Sequence, residues 1–137
     1  MPAKAKILIV DDEIDTLNLM EMVLRMAGYA VVKAMSGQDC LRLNREERPD
    51  LIILDMMMPN LSGMDVLKQL NKSYGSPPVI IFSAKNQMPD VIEGMEAGAF
   101  RYLVKTASRQ QLLQTVQDAL ASREKTEKKG DDWAPNW

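Results

Sequence analysis

The chain has 137 residues, a net charge of −2 and no histidine. That length fits one compact domain, and the charge balance supplies no basic field for nucleic acid or an anionic membrane. Without histidine there is no Ser-His-Asp triad and no imidazole metal ligand, and with Cys40 as the single cysteine there is no intrachain disulfide and no Cys-rich metal site.

Lys6–Val10 reads as a buried strand, because four aliphatic residues follow one another without alternation. The run stops at Asp11, too short for a signal-peptide core, and nothing in the chain approaches the ~18 apolar residues of a membrane span. A soluble cytoplasmic protein is therefore expected. Ile14–Ala27 has helical spacing, with Leu17, Met20, Leu24 and Ala27 on the inner face and Gly28 at the C-cap. Ala30–Ala34 is a second strand. Ser36-Gly37-Gln38-Asp39 has capping-box spacing and opens a helix to about Arg45. Cys40 on that helix is expected to be buried rather than reactive. Pro49 and Asp50 turn the chain into Leu51–Leu54, a third strand.

Ser62-Gly63-Met64-Asp65 repeats the capping pattern and opens a helix to about Asn71. A loop through Tyr74-Gly75-Ser76-Pro77 leads to a fourth strand, Val79–Phe82. Pro89 suits the first position of a fourth helix ending at Gly98. Arg101–Val104 is the fifth strand, and Ser108 caps a last helix to about Ser122. The eleven methionines fall mostly at core spacing. Residues 123–137 are charge-rich and hold both tryptophans, Trp133 and Trp137; they read as a flexible tail or linker, or as a partner-docking peptide.

Five strands alternating with five helices imply a doubly wound parallel sheet covered on both faces. In such a sheet every strand C-terminus lies at one edge, where ligand sites form. Asp11 and Asp12 follow the first strand, Asp55 the third, Ser83 ends the fourth and Lys105 follows the fifth. With strand order 2-1-3-4-5, the three aspartates crowd into one pocket. They repel one another and need positive charge to stay ionised. A hard divalent cation such as Mg²⁺ is one source, and Lys105 is another. A carboxylate beside a metal and a lysine can accept a phosphoryl group as an acyl phosphate. Asp55 is the candidate, since it comes directly off the central strand. Taken singly, Asp12 could be a helix N-cap, Lys105 a surface lysine and Ser83 a strand-end cap.

Several segments resemble a known family. Ile7-Leu8-Ile9-Val10-Asp11-Asp12-Glu13, then Leu54-Asp55-Met56-Met57-Met58-Pro59 with Gly63, then Phe82-Ser83-Ala84, Gly98-Ala99 and Tyr102-Leu103-Val104-Lys105 are similar in order and spacing to the response-regulator receiver domain of two-component phosphorelay signalling. The resemblance covers residues 4–122 and implies a flavodoxin-like, receiver-like fold. It implies phosphorylation of Asp55 by a histidine kinase or phosphotransfer protein, with Mg²⁺ held by Asp12, Asp55, the Met57 backbone carbonyl and, through water, Asp11. It matches Lys105 to the phosphate-binding lysine and Ser83 to the switch hydroxyl. Ala84, small and adjacent, leaves access. Tyr102 matches an aromatic whose ring moves with that hydroxyl, altering the surface of helix four, strand five and helix five.

The family usually has proline after the lysine, joined by a cis bond. This chain has Thr106, for which a cis bond costs ~2.5–4 kcal/mol. Either the loop takes a trans path or the fold holds strain there. Such a domain is a phosphoacceptor assisting its own phosphorylation and slow hydrolysis, not an enzyme with an external substrate. Its expected partners are the phosphodonor and a downstream effector protein or output domain, and a phosphorylation-dependent dimer is compatible with the resemblance. No helix-turn-helix follows residue 122, so DNA binding is not expected from this chain, and with neither a basic field nor a long apolar run no membrane contact is expected. Two alternatives remain. A degenerate receiver would act as a phosphorylation-independent interaction domain. A Mg²⁺-dependent phosphatase would need a second acid where Met57 stands.

Overall fold

The computed structural model describes residues 4–72 and 75–133, with side chains followed as far as Arg123. Among these residues five strands alternate with five helices: β1 (Lys6–Val10), α1 (Ile14–Met26), β2 (Ala30–Ala34), α2 (Gly37–Glu47), β3 (Leu51–Leu54), α3 (Gly63–Leu70), β4 (Val79–Ser83), α4 (Met88–Glu96), β5 (Arg101–Val104) and α5 (Arg109–Trp133). All pairings are parallel, in the order β2-β1-β3-β4-β5. This is the doubly wound architecture expected from the alternation.

Aliphatic runs explain the central strands. Every residue of β3 and β4 is buried, as are Ile7–Val10 of β1. The pleat sends alternate side chains to opposite faces. Ile7, Ile9, Leu51, Ile53, Ile80 and Phe82 pack under α1 and α5, against Leu17, Leu24 and Val116. Leu8, Val10, Ile52, Leu54 and Ile81 pack on the other side, against Cys40, Val66, Leu67 and Leu70. Truncating any of these central aliphatics to alanine should cost ~2–5 kcal/mol.

Local chemistry sets most helix ends. Ser36, Ser62 and Ser108 each accept a hydrogen bond from the backbone N–H three residues on, and Gln111 returns its side-chain oxygen to the Ser108 N–H, completing a capping box. After α1, Gly28 takes φ +97°, and the Tyr29 and Gly28 N–H groups close onto Leu24 and Arg25 carbonyls. That is a Schellman closure, which requires the left-handed conformation glycine tolerates.

Three sequence expectations change, and one open alternative is decided. Ala27 is the C-cap, past the last helical residue Met26, and is exposed, while Val23, one turn earlier on the same face, is buried beside Leu17, Met20 and Leu24. The methionines are not mainly core, since Met22, Met26, Met35, Met57, Met88 and Met95 are all at least 40% exposed. They fall on the outer faces of α1 and α4 and in two loops. The last helix does not end near Ser122, because its backbone runs to Trp133 through a segment rich in helix-forming Glu and Lys. Arg123 donates to the Pro49 carbonyl at 3.0 Å, tying α5 to the turn before β3. The Trp133 side chain, Trp137 and Tyr74 lie outside what is described. Lastly, no cis peptide occurs among the described residues, so Lys105-Thr106 is trans. Ala107 N–H closes this turn on the Val104 carbonyl at 2.8 Å.

Candidate functional site

Burial of charge marks the site. Among the described residues the buried polar side chains are Asp11, Asp55, Ser83 and Thr115. Thr115 satisfies itself on the Gln111 carbonyl of its own helix. The other three stand together at the C-terminal edge of the sheet, where Val10 pairs with Leu54 and Ser83 with Val104. Asp11 is 0% exposed and Asp55 is 3% exposed. An ionised carboxylate is not held that deeply without compensation.

Backbone hydrogen bonds from the sheet fix each position. Asp55 N–H donates to the Val10 carbonyl, Asp11 N–H to that of Ala34, and Lys105 N–H to that of Ser83. Local turns then orient the carboxylates. Glu13 N–H donates to Asp11 Oδ1 at 2.9 Å, and Met57 N–H to Asp55 Oδ1 at 3.2 Å. The other oxygens face the lysine: Lys105 Nζ is 2.9 Å from Asp11 Oδ2 and 3.5 Å from Asp55 Oδ2, with Glu13 Oε1 at 3.9 Å.

Asp12 completes the acidic group. It is exposed, yet carboxylate oxygens of Asp11, Asp12 and Asp55 all lie within 4.8 Å of one another. It does not cap α1, whose N-cap is Glu13 with no side-chain cap hydrogen bond. Asp11 Oδ2 is buried, and its partner among the described residues is the Lys105 ammonium. Three carboxylates converging on one lysine carry more negative charge than its ammonium neutralises, which fits a hard oxygen-seeking cation.

The electrostatics match this geometry. Burial raises the pKa of Asp55 above the usual carboxylate range; the Met57 N–H and the Lys105 charge oppose that, and Asp11 adds to it. Burial alone would lower the Lys105 pKa. Its contact with Asp11 and the charges of Asp55, Asp11 and Glu13 outweigh this, so the ammonium is held above the ordinary lysine value.

Ser83 and Tyr102 are joined through one residue. Lys85 N–H donates to Ser83 Oγ at 3.2 Å, and Tyr102 Oη donates to the Lys85 carbonyl at 2.9 Å. Sequence reasoning missed Lys85 because its part here is played by its backbone. Met57, beside Asp55, is half exposed, and Ala84 is exposed next to Ser83. The structure thus brings Asp11, Asp12, Asp55, Ser83 and Lys105 to one edge, with Met57 on the rim and Tyr102 linked through Lys85.

Comparison with known proteins shows the family of the chain and agrees with its fold. Residues 7–117 match the response regulator receiver domain family, and the chain belongs to that family. It is 39% identical over 121 residues to the transcriptional regulatory protein PrrA of Mycobacterium tuberculosis, covering 88% of this chain and 52% of that protein. It is 37% identical over 119 residues to the alkaline phosphatase synthesis transcriptional regulatory protein PhoP of Bacillus subtilis, covering 87% and 50%. The chain therefore spans about half the length of these relatives. A response regulator receiver domain protein from Clostridium thermocellum superposes with TM-score 0.82 at 35% identity, covering 88% of this chain and 97% of that one. A CheY-like receiver domain protein from Methanospirillum hungatei gives TM-score 0.85 at 25% identity, covering 90% and 99%.

Proposed function

We propose that Asp55 is the phosphoacceptor of this receiver domain. The observation that carries the reading is the burial of Asp11 and Asp55 at one sheet edge, with Asp12 within 4.8 Å and Lys105 as their shared cation. A carboxylate oxygen of Asp55 attacks the phosphorus of a donor phosphohistidine; an O–P bond forms, the N–P bond breaks, and the imidazole nitrogen keeps the electron pair. Asp12, Asp55 and the Met57 backbone carbonyl would hold Mg²⁺, with Asp11 acting through water. When bound, the ion offsets charge on the phosphoryl oxygens. Lys105 turns its ammonium from Asp11 toward those oxygens, while Ser83 Oγ leaves the Lys85 N–H to donate to another. The Lys85 segment and the Tyr102 hydroxyl then lose their resting arrangement, which reshapes the surface of α4, β5 and α5.

The phosphodonor is a histidine kinase or phosphotransfer protein, and the recipient of the signal is an effector protein or output domain. The curated relatives are named as transcriptional regulators, which supports an output of that kind. We place the receiver at 4–122, followed by 123–137 as tail or linker, and the protein in the cytoplasm. No helix among the described residues is long and apolar enough to cross a membrane. The domain assists its own phosphorylation and slow hydrolysis.

The deciding experiment is phosphotransfer from a phosphorylated kinase, or from acetyl phosphate, with Mg²⁺. The intact chain should acquire an acid-stable, base-labile phosphoryl group, and Asp55→Asn should not. Labelling that persists in Asp55→Asn, or never occurs in the intact chain, would sink the assignment.

A further inference from the structure

Two helices begin with the same four-residue pattern, Ser36-Gly37-Gln38-Asp39 in α2 and Ser62-Gly63-Met64-Asp65 in α3. In each the serine Oγ accepts from the aspartate N–H, and the glycine is the first helical residue and is buried. Neither glycine has positive φ, so conformational freedom is not what the position uses. Close approach is. A Cβ on Gly63 would overlap the Asp55 carbonyl oxygen and come within 2.5 Å of Met56 Cα. Gly63 N–H also donates to the Met56 carbonyl at 3.3 Å. The first turn of α3 therefore rests directly on the Asp55-Met56 peptide. A Cβ on Gly37 would stand 2.8 Å from Val66 Cγ2 and 2.9 Å from the Leu61 carbonyl oxygen. The start of α2 thus backs the start of α3.

We infer that Gly63 is a positioning residue for the phosphoacceptor loop, with Gly37 supporting it from behind. The stack runs from α2 through the start of α3 to the peptide joining Asp55 and Met56. It sets where the Asp55 carboxylate and the Met57 backbone stand relative to Asp11, Asp12 and Lys105. A methyl group at Gly63 must push α3 away or tilt that peptide. Either movement displaces two of the groups assigned to the cation while leaving their chemistry untouched. The inference rests on the proposed phosphoacceptor reading, but Mg²⁺ binding can be read without any phosphoryl transfer.

The test compares Gly63→Ala, Gly37→Ala and Gly28→Ala in the full chain. Gly28 is the control: its φ of +97° makes alanine strained there, yet a Cβ meets nothing within 4 Å. Mg²⁺ affinity is measured from the Met57 and Asp12 amide shifts, and initial phosphorylation rate from acetyl phosphate. Gly63→Ala should weaken Mg²⁺ binding at least fivefold and slow phosphorylation about tenfold. Gly37→Ala should weaken Mg²⁺ binding two- to threefold, and Gly28→Ala should lower thermal stability with both readouts unchanged. Mg²⁺ affinity of Gly63→Ala within twofold of the parent, or an equal loss in Gly28→Ala, overturns the inference. If Gly63→Ala does not fold, Gly37→Ala decides by the same affinity criterion: a two- to threefold loss supports the stack and an unchanged affinity overturns it. If the parent binds Mg²⁺ but takes no phosphoryl group, the functional reading fails while the affinity comparison still tests the glycines.

Discussion

The Lys105 ammonium sits against Asp11, at 2.9 Å, and stands farther from Asp55, at 3.5 Å. In this arrangement the lysine neutralises the deeper carboxylate and is poised beside the one proposed to react. Lys105→Met would remove both functions. It should reduce phosphorylated protein at steady state on the order of 100-fold, as for loss of a charge-stabilising donor. It should also cost ~1–3 kcal/mol in chemical denaturation without Mg²⁺, less than for a fully buried pair because the lysine is partly exposed. Restoring that stability with Mg²⁺ would show that the ion and the ammonium compensate the same charges.

The raised Lys105 pKa has an alkaline consequence. Its folded value lies above the unfolded one, near ~10.4. Its contribution to stability is therefore complete below that pH and is lost as pH rises through the folded value. Denaturation midpoints measured from pH 9 upward should fall in the parent, and the part due to this group should be missing in Lys105→Met.

Asp55 has the opposite sign. Burial raises its folded pKa, so the folded state holds the proton more tightly than the unfolded chain does. At neutral pH the ionised carboxylate is a cost to the fold. Asp55→Asn should therefore stabilise the ion-free protein at pH 7, by ~1–3 kcal/mol. The gain should shrink as pH falls through the raised value toward the unfolded ~3.9. Urea titrations of the two proteins from pH 7 down to pH 4 measure it.

Mg²⁺ should stabilise the folded domain by mass action, about 2.7 kcal/mol at one hundred times its Kd, or on the order of 5–10 °C in Tm for a domain of this size. Asp12 is the exposed member of the acidic group, so Asp12→Ala should leave ion-free stability unchanged or slightly higher. The same substitution should abolish most of the Mg²⁺-induced rise. A full rise in Asp12→Ala would remove this residue from the cation site.

Ser83→Ala deletes the acceptor for the Lys85 N–H, and Tyr102→Phe deletes the donor to the Lys85 carbonyl. Each loses one hydrogen bond, worth ~1 kcal/mol. Phosphorylation of Asp55 should continue in both within a few-fold. The amide shifts that beryllofluoride induces in α4 and β5 should be strongly reduced in Ser83→Ala. A full shift pattern in that variant would separate the hydroxyl from the output surface.

The parts of this molecule that were legible in the sequence are those where one side chain reports its own surroundings. Leu51–Leu54 cannot be anything but buried on both faces, and Asp55 immediately after it had to lie at a sheet edge. Strand order then brought Asp11, Asp12 and Lys105 to the same place. Contacts made by backbone were illegible, because peptide groups leave no trace in residue type. The Lys85 link and the seat of Gly63 on Asp55 belong here, although the repeated Ser-Gly-X-Asp pattern was visible. Methionine misled because its side chain serves both core and surface. Met22 and Met20 differ in fate only by their angle around α1.

Cys40 is fully enclosed on the α2 side of the sheet, and burial pushes its thiol pKa up to about 12. At pH 7 the reactive thiolate is then on the order of one part in 10⁵. Thiol reagents should pass the native chain by. A cysteine placed at Met88 or Met95 on α4 would be the one site to take a probe, with the native thiol left in place. The domain thus comes ready for single-site spectroscopic labelling of the face its phosphorylation is proposed to move.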